Sequence, residues 1–318
     1  MRRHRRVPAW PTALLMIIVL AACGGTATPT PRASSSQATV AATPTVEATL
    51  PSTASPQKKT PTPSLAPTEP RPEATPEATV TLNVYFIRDE KIATAHRRVP
   101  ETPQVGGAAM RELLAGPNAF EQGIGMTTSI PEGTQLLGLE VADQRAVVDL
   151  SEEFESGGGS LSVSARLAQV VYTLTQFPTV DVVEFRVAGR AVDVFSSEGI
   201  VLDHPVGRDA YEDLTPPILV ESPAPGDEVG SPLRVTGTAN TFEATFQLAL
   251  LDADGQVVAE QTVQATSGSG MRGTFDTTIS FGTDIDQTQS GTLQAFEYSA
   301  RDGSVVNLVE IPLTLQAP

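Results

Sequence analysis

The sequence predicts an α+β protein in which a disordered stalk carries a two-layer α/β sandwich followed by an all-β sandwich. Three observations point there. Residues 23–79 are dominated by Thr, Pro, Ala and Ser, and apolar alternation begins only around Thr79. Residues 80–205 read as strands, helix, two strands, helix and strands, the order of a sheet covered by helices. Residues 215–318 show short alternating strands and Asp-Gly turns with no helical period. The Pro-rich stretch DLTPPILVESPAPGDEV breaks the two folded regions near Thr215.

The chain opens with Arg2, Arg3, Arg5 and Arg6 and continues into an apolar run over 13–22. That run is shorter than the roughly 20 apolar residues that cross a bilayer, and has the length of a signal peptide's apolar region. The only cysteine of the chain, Cys23, follows it in LAAC. With one thiol no intramolecular disulfide forms. The segment resembles the bacterial lipoprotein signal. The resemblance implies that residues 1–22 are removed and that Cys23 becomes a lipidated N-terminus. Diacylglycerol on Cys23 then makes the membrane a partner, because stable anchoring takes more than one chain. The expected location is extracytoplasmic, lipid-anchored to the cell membrane.

In residues 23–79 the larger aliphatic side chains are few, Val40, Val46, Leu50 and Leu65 among them. Such a segment buries too little apolar area to offset ordering entropy and is expected to be disordered. Its prolines favour an extended form, with a reach of roughly 170 Å at 3.1 Å per residue.

From residue 80, TVTLNVYFI alternates Val80, Leu82, Val84 and Phe86 on one face, and KIATAHRRVP returns after a turn near Asp89. TPQVGGAAMRELLAGP reads as a helix, with Thr102 as its cap, Pro103 in its first turn and Gly116-Pro117 as its stop. TQLLGLEVA and RAVVDLS follow as strands joined at Asp143-Gln144. SLSVSARLAQVVYTLTQFP is the most regular helix, with Val163, Leu167, Val170, Val171 and Leu174 recurring at three and four. TVDVVEFRVAGR and RAVDVF close the region as strands.

From residue 215, SPLRVTGTA, TFEATFQLALLD, GTFDTTISF, GTLQAFEYSA and SVVNLVEIPLTL alternate as strands. Asp254-Gly255 and Asp302-Gly303 supply hairpin turns, and Pro312 suits an edge position.

The formal charge is −16, and loss of the four signal arginines lowers it further. No basic footprint for nucleic acid is present. The search for chemistry yields little. His96 and His204 stand far apart, and no Cys or spaced His partner suggests a metal. Asp149, Glu152, Glu153 and Glu155 form an acidic cluster beside the glycines at 157–159. Paired carboxylates there would serve hydrolysis or calcium, but a solvated loop is the commoner meaning. Asp252 and Asp254 in DADG lack the downstream Glu of a calcium loop, Gln261 standing in its place. The glycines at 157–159 lack the Lys-Ser/Thr of a phosphate loop and read as flexible entry to the helix. No catalytic, cofactor-binding or metal-binding residue is assigned.

Two further resemblances bear on function. YFI, RELLAGP, SIPEGTQLL, VVDLSEEF and VVYTLTQFPTVDVVEFRVAG, in that order, resemble the GerMN domain of sporulation and germination lipoproteins. ESPAPGDEVGSPLRVTGTANTFEATF, RGTF, YSARDGS and IPLTL resemble the immunoglobulin-like domain that accompanies it. The resemblances imply a GerMN-like α/β sandwich over 80–205 and an immunoglobulin-like β-sandwich over 215–318. They imply a non-catalytic envelope lipoprotein that binds an envelope protein or cell-wall partner, in sporulation, germination or wall processes. The alternatives are an envelope hydrolase accessory using the carboxylates at 149–155, and a solute-binding lipoprotein. Two dissimilar domains speak against the latter.

Overall fold

The computed structural model describes residues 78–282 and 287–317. The signal segment, Cys23 and the Thr/Pro-rich stalk lie outside the described residues. The first domain opens with a hairpin, β1 (Thr79–Arg88) and β2 (Lys91–Pro100), in register from Thr79 opposite Pro100 to Arg88 opposite Lys91. Its two-residue turn is made by Asp89 and Glu90, both at positive φ, which matches the right-handed twist of the strands.

Helix α1 (Val105–Ala115) starts later than the Thr102 cap predicts. Gln104 occupies the N-cap position without a side-chain bond, and the Thr102 hydroxyl instead accepts from the Gln104 N–H at 3.2 Å. This local turn competes with the cap. A short helix, α2 (Ala119–Gly123), follows that the apolar period does not reveal. It is held by reciprocal bonds between Asn118 and Glu121.

Strands β3 (Leu136–Ala142) and β4 (Arg145–Leu150) form the second hairpin. Helix α3 (Ser160–Leu174) crosses to β5 (Val182–Val187), which pairs parallel to β4, and β6 (Arg190–Ala191) completes the sheet in the order β3-β4-β5-β6. The expected strand RAVDVF is split: β6 takes its start, and β7 (Val194–Phe195) pairs with β8 (Ile200–Val201). Ala146, Val148 and Leu150 of β4 and Val183, Phe185 and Val187 of β5 bury one face. They share a core with the apolar stripe of α3, whose Val163, Leu167, Val170, Val171 and Leu174 are all buried.

The stripe does not exhaust α3. Arg166, Gln169, Tyr172 and Thr173 are buried too, because the first hairpin stands edge-on against the helix instead of joining the sheet. The free edge of β1 is closed by side chains one helical turn apart. The Tyr85 N–H donates to the Thr173 hydroxyl at 3.3 Å, and the Gln169 amide donates to the Tyr85 carbonyl at 3.0 Å. Gln176, one turn on, accepts from the Asn83 N–H at 2.8 Å and donates to its carbonyl at 2.6 Å. Ile87 exchanges backbone bonds with Thr127. Unpaired strand groups in an interior are costly, and these are all satisfied.

After a 3₁₀ turn over Arg208–Leu214, the second domain is a two-sheet sandwich. Its strands are β9 (Ile218–Ser222), β10 (Glu228–Val229), β11 (Leu233–Ala239), β12 (Thr245–Leu251), β13 (Val257–Gln264), β14 (Gly273–Ile279), β15 (Gln289–Tyr298) and β16 (Val305–Leu315). One sheet runs β10-β16-β15-β12-β13 and the other β14-β11-β9. The α+β class and the immunoglobulin-like sandwich expected from the sequence are both present. The edge expected at Pro312 is covered in part. The two residues of β10 pair with the end of β16, and the Pro312 carbonyl accepts from the Gly226 N–H. The two cores meet at β9, where Ile218 and Val220 face the sandwich and Leu219 joins the first domain's core.

Candidate functional site

The densest gathering of titratable side chains lies where the hairpin, the 3₁₀ turn and the sandwich converge. Period-two alternation on β1 and β2 brings Tyr85 and His96 to this seam, and Arg208 enters from the turn. The Tyr85 hydroxyl donates to the Glu221 carboxylate. The Arg208 guanidinium donates to the same Glu221 Oε1 at 2.8 Å, to the Tyr85 oxygen at 3.3 Å and to the Thr175 hydroxyl at 2.7 Å. It lies 4.6 Å from the centroid of the Tyr172 ring and 5.4 Å from that of Tyr85, a cation–π arrangement. His96 sits between the Asp227 carboxylate at 2.7 Å and the Glu221 carbonyl at 3.0 Å.

The surroundings shift three of these groups, Tyr85, Arg208 and Asp227. Burial, reinforced by the Glu221 charge, pushes the Tyr85 phenol well above its ordinary value, against the smaller opposing pull of Arg208. Burial disfavours the charged Arg208, but Tyr85 and Glu221 more than compensate and hold it protonated. Burial also opposes ionisation of Asp227. The hydrogen bonds from His96 and the Ala224 N–H outweigh it and keep the carboxyl below its usual range. A second cluster binds Glu212 to Arg272 at 2.9 and 3.0 Å and to Asn240 at 2.8 Å, and Arg272 holds the Glu212 carboxyl down. Each of these charges is satisfied internally. Tyr85 is thereby held as the phenol, and Asp227 and Glu212 as carboxylates.

The acidic cluster does not converge on a site. Asp149 accepts from the Gly189 N–H at 3.0 Å. Glu152 and Glu153 are exposed on a 3₁₀ turn, Glu152 lying 3.9 Å from Arg190. The Ser151 hydroxyl and a backbone N–H lower the Glu153 carboxyl. Glu155 shares the turn, whose buried anchor is Phe154. Among the described residues no group of three His, Cys, Asp or Glu is placed to hold a metal. The glycines at 157–159 lead into α3 as expected, with Gly159 as its N-cap. The Gly157 carbonyl accepts from Arg166 at 3.0 Å. Arg166, 1 % exposed, also reaches the carbonyls of Ser129 and Phe154 and so ties the α2–β3 connection to the β4–α3 connection. Its place inside the apolar period of α3 was the one available signal of that role. His204 is exposed beside Asp203, and Asp252 accepts from the Asp254 and Gln256 N–H groups as a plain turn.

The described residues also form recesses outside these clusters, one of about 290 Å³ between Ile92 and Leu308 among them. A cleft of about 1070 Å³ separates Arg98 and Phe120 of the first domain from Asp227 and Asp252 of the second. A groove of about 700 Å³ follows the free edge of β3 beside α1.

The described residues thus form a helix-backed α/β domain joined to an immunoglobulin-like sandwich. Residues 83–193 match the family described as sporulation and spore germination, and residues 217–304 match the immunoglobulin-like domain of bacterial spore germination. The chain carries both domains, in that order. No curated protein matches it. Among solved structures, the first GerMN domain of the sporulation protein GerM from Bacillus subtilis is 21% identical, with a TM-score of 0.36, over 41% of this chain and 99% of that one. The tandem GerMN domains of the same protein are 14% identical, with a TM-score of 0.37, over 76% of this chain and 61% of that one.

Proposed function

We propose that the protein is a non-catalytic, membrane-anchored envelope lipoprotein that acts as an interaction or assembly module in sporulation, germination or cell-wall processes. The observation that carries this reading is the use of the seam charges. Tyr85, His96, Arg208, Glu221 and Asp227 converge as catalytic groups do, yet they bond one another and hold the two domains in one arrangement. That rigidity suits a platform presenting fixed surfaces. The lipid on Cys23 would hold the platform at the membrane, and the Thr/Pro-rich stalk would set it at a distance.

The test is cross-linking in intact cells followed by fractionation. A defined envelope partner should be captured with the wild-type chain in the membrane fraction. The reading fails if the chain is monomeric and unpartnered there, or if the purified chain turns over peptidoglycan.

A further inference from the structure

The β3-β4-β5-β6 sheet ends on β3, which pairs with no further strand among the described residues. The turn at Asp143-Gln144 makes Ala142 and Arg145 the closing pair of the β3–β4 ladder. Antiparallel alternation then turns the backbone N–H and C=O of Leu139 and Val141 away from β4, toward the open edge. Among the described residues no hydrogen bond reaches these groups. This contrasts with β1, where the outward groups of Asn83, Tyr85 and Ile87 are all bonded. The same edge borders the groove noted above, floored by Leu136, Leu139 and Val141 and walled by Val105 and Phe177. Val141 is 47 % exposed. The wall is low because α1 begins with glycines, and a Cβ at Gly106 would come within 3.0 Å of the Leu139 side chain. Arg111 lies at the groove with its guanidinium 3.7 Å from where a Cβ of Gly107 would stand, and no carboxylate pairs with it among the described residues.

We propose that β3 and this groove bind an extended segment of a partner protein as an added strand, with alternate apolar side chains in the groove and a carboxylate on Arg111. This rests on the interaction-module reading and names the surface and the chemistry of the partner. A row of unpaired strand groups matches the regular donor and acceptor spacing of another extended backbone, and the flanking groove gives every second side chain a pocket. The unpaired Arg111 supplies the charge complementarity. The chain's own stalk has one short alternation, Val46-Ala48-Leu50, closed off by Pro44 and Pro51, and its prolines lack the donors that a longer ladder needs.

The experiment pans a phage-displayed random octapeptide library on the full chain and on two variants, Val141→Pro and Arg111→Glu. Val141→Pro removes an outward-facing donor while sparing the β4 ladder. Enriched peptides should alternate β-branched or aromatic residues and carry an Asp or Glu. A synthetic copy should bind at least tenfold more weakly to Val141→Pro. Arg111→Glu should weaken it likewise, with binding restored when the peptide acid is changed to Lys. Hydrogen exchange at the Leu139 and Val141 amides should slow on binding. Absence of enrichment, equal binding to both variants, protection at another edge, or a dimer paired through β3 in sedimentation would each overturn the proposal. A cellular partner cross-linking to a different face would sink this assignment and leave the interaction-module reading standing.

Discussion

The Tyr85 phenol and the Glu221 carboxylate share a hydrogen bond across the seam between the two domains, with Arg208 bonded to both. Residues 136 positions apart are thus joined in one charged network. Each domain on its own would expose half of that network. The pair therefore behaves as one body.

Arg208→Met should uncouple the two domains. It strands Glu221 at a seam where both partners are under a third exposed. Removing one partner of a largely buried pair costs about 3 kcal/mol. Urea denaturation should show a lower midpoint and a split into two transitions. A single transition at the wild-type midpoint would refute the coupling.

Thr173→Val should cost about 1–3 kcal/mol, because it leaves the Tyr85 N–H unsatisfied in the interior while preserving shape. Exchange of that amide should accelerate more than exchange in β4. Equal acceleration throughout the domain would point to a general packing defect instead.

Acid should loosen the seam. Asp227 has a folded-state pKa below its unfolded value, with His96 as the partner that lowers it. Its contribution is therefore complete above the unfolded value near 4 and is lost as pH falls through the folded value. Glu212, held down by Arg272, acts in the same direction. Asp227→Asn should flatten the acid limb of a stability-against-pH curve below the unfolded value near 4. An unchanged limb would contradict the assignment.

Glu152→Ala and Glu153→Ala should leave stability within about 0.5 kcal/mol of wild type, since both side chains are exposed on their turn. Incubation of the chain with peptidoglycan and with ester, peptide and glycoside substrates should yield no product. Turnover that either variant abolishes would establish the hydrolase alternative.

Cys23→Ser should release the chain into the soluble fraction or leave the signal uncleaved. Fractionation with mass analysis of the N-terminus decides it, and normal processing with full membrane retention would count against the anchor.

The amino-acid sequence by itself determined the long periodic elements, though not α2 or the split of RAVDVF. The three-and-four recurrence of Val163, Leu167, Val170, Val171 and Leu174 marks α3, and the Asp-Gly pairs at 254–255 and 302–303 mark two hairpins. Both signals are local, because burial of one face imposes a period on neighbouring residues. Two domain families were also legible in motif order. The tertiary structure alone decided what the polar residues do. Nothing near Gln169, Thr173 and Gln176 announces that they close the edge of β1, some 84 to 93 positions away. Nothing near His96 points to Asp227, and nothing in the acidic loop shows that its carboxylates diverge around Phe154. A hydrogen bond needs two groups at one distance and angle, and their meeting is set by how separate elements pack, which no period along the chain records.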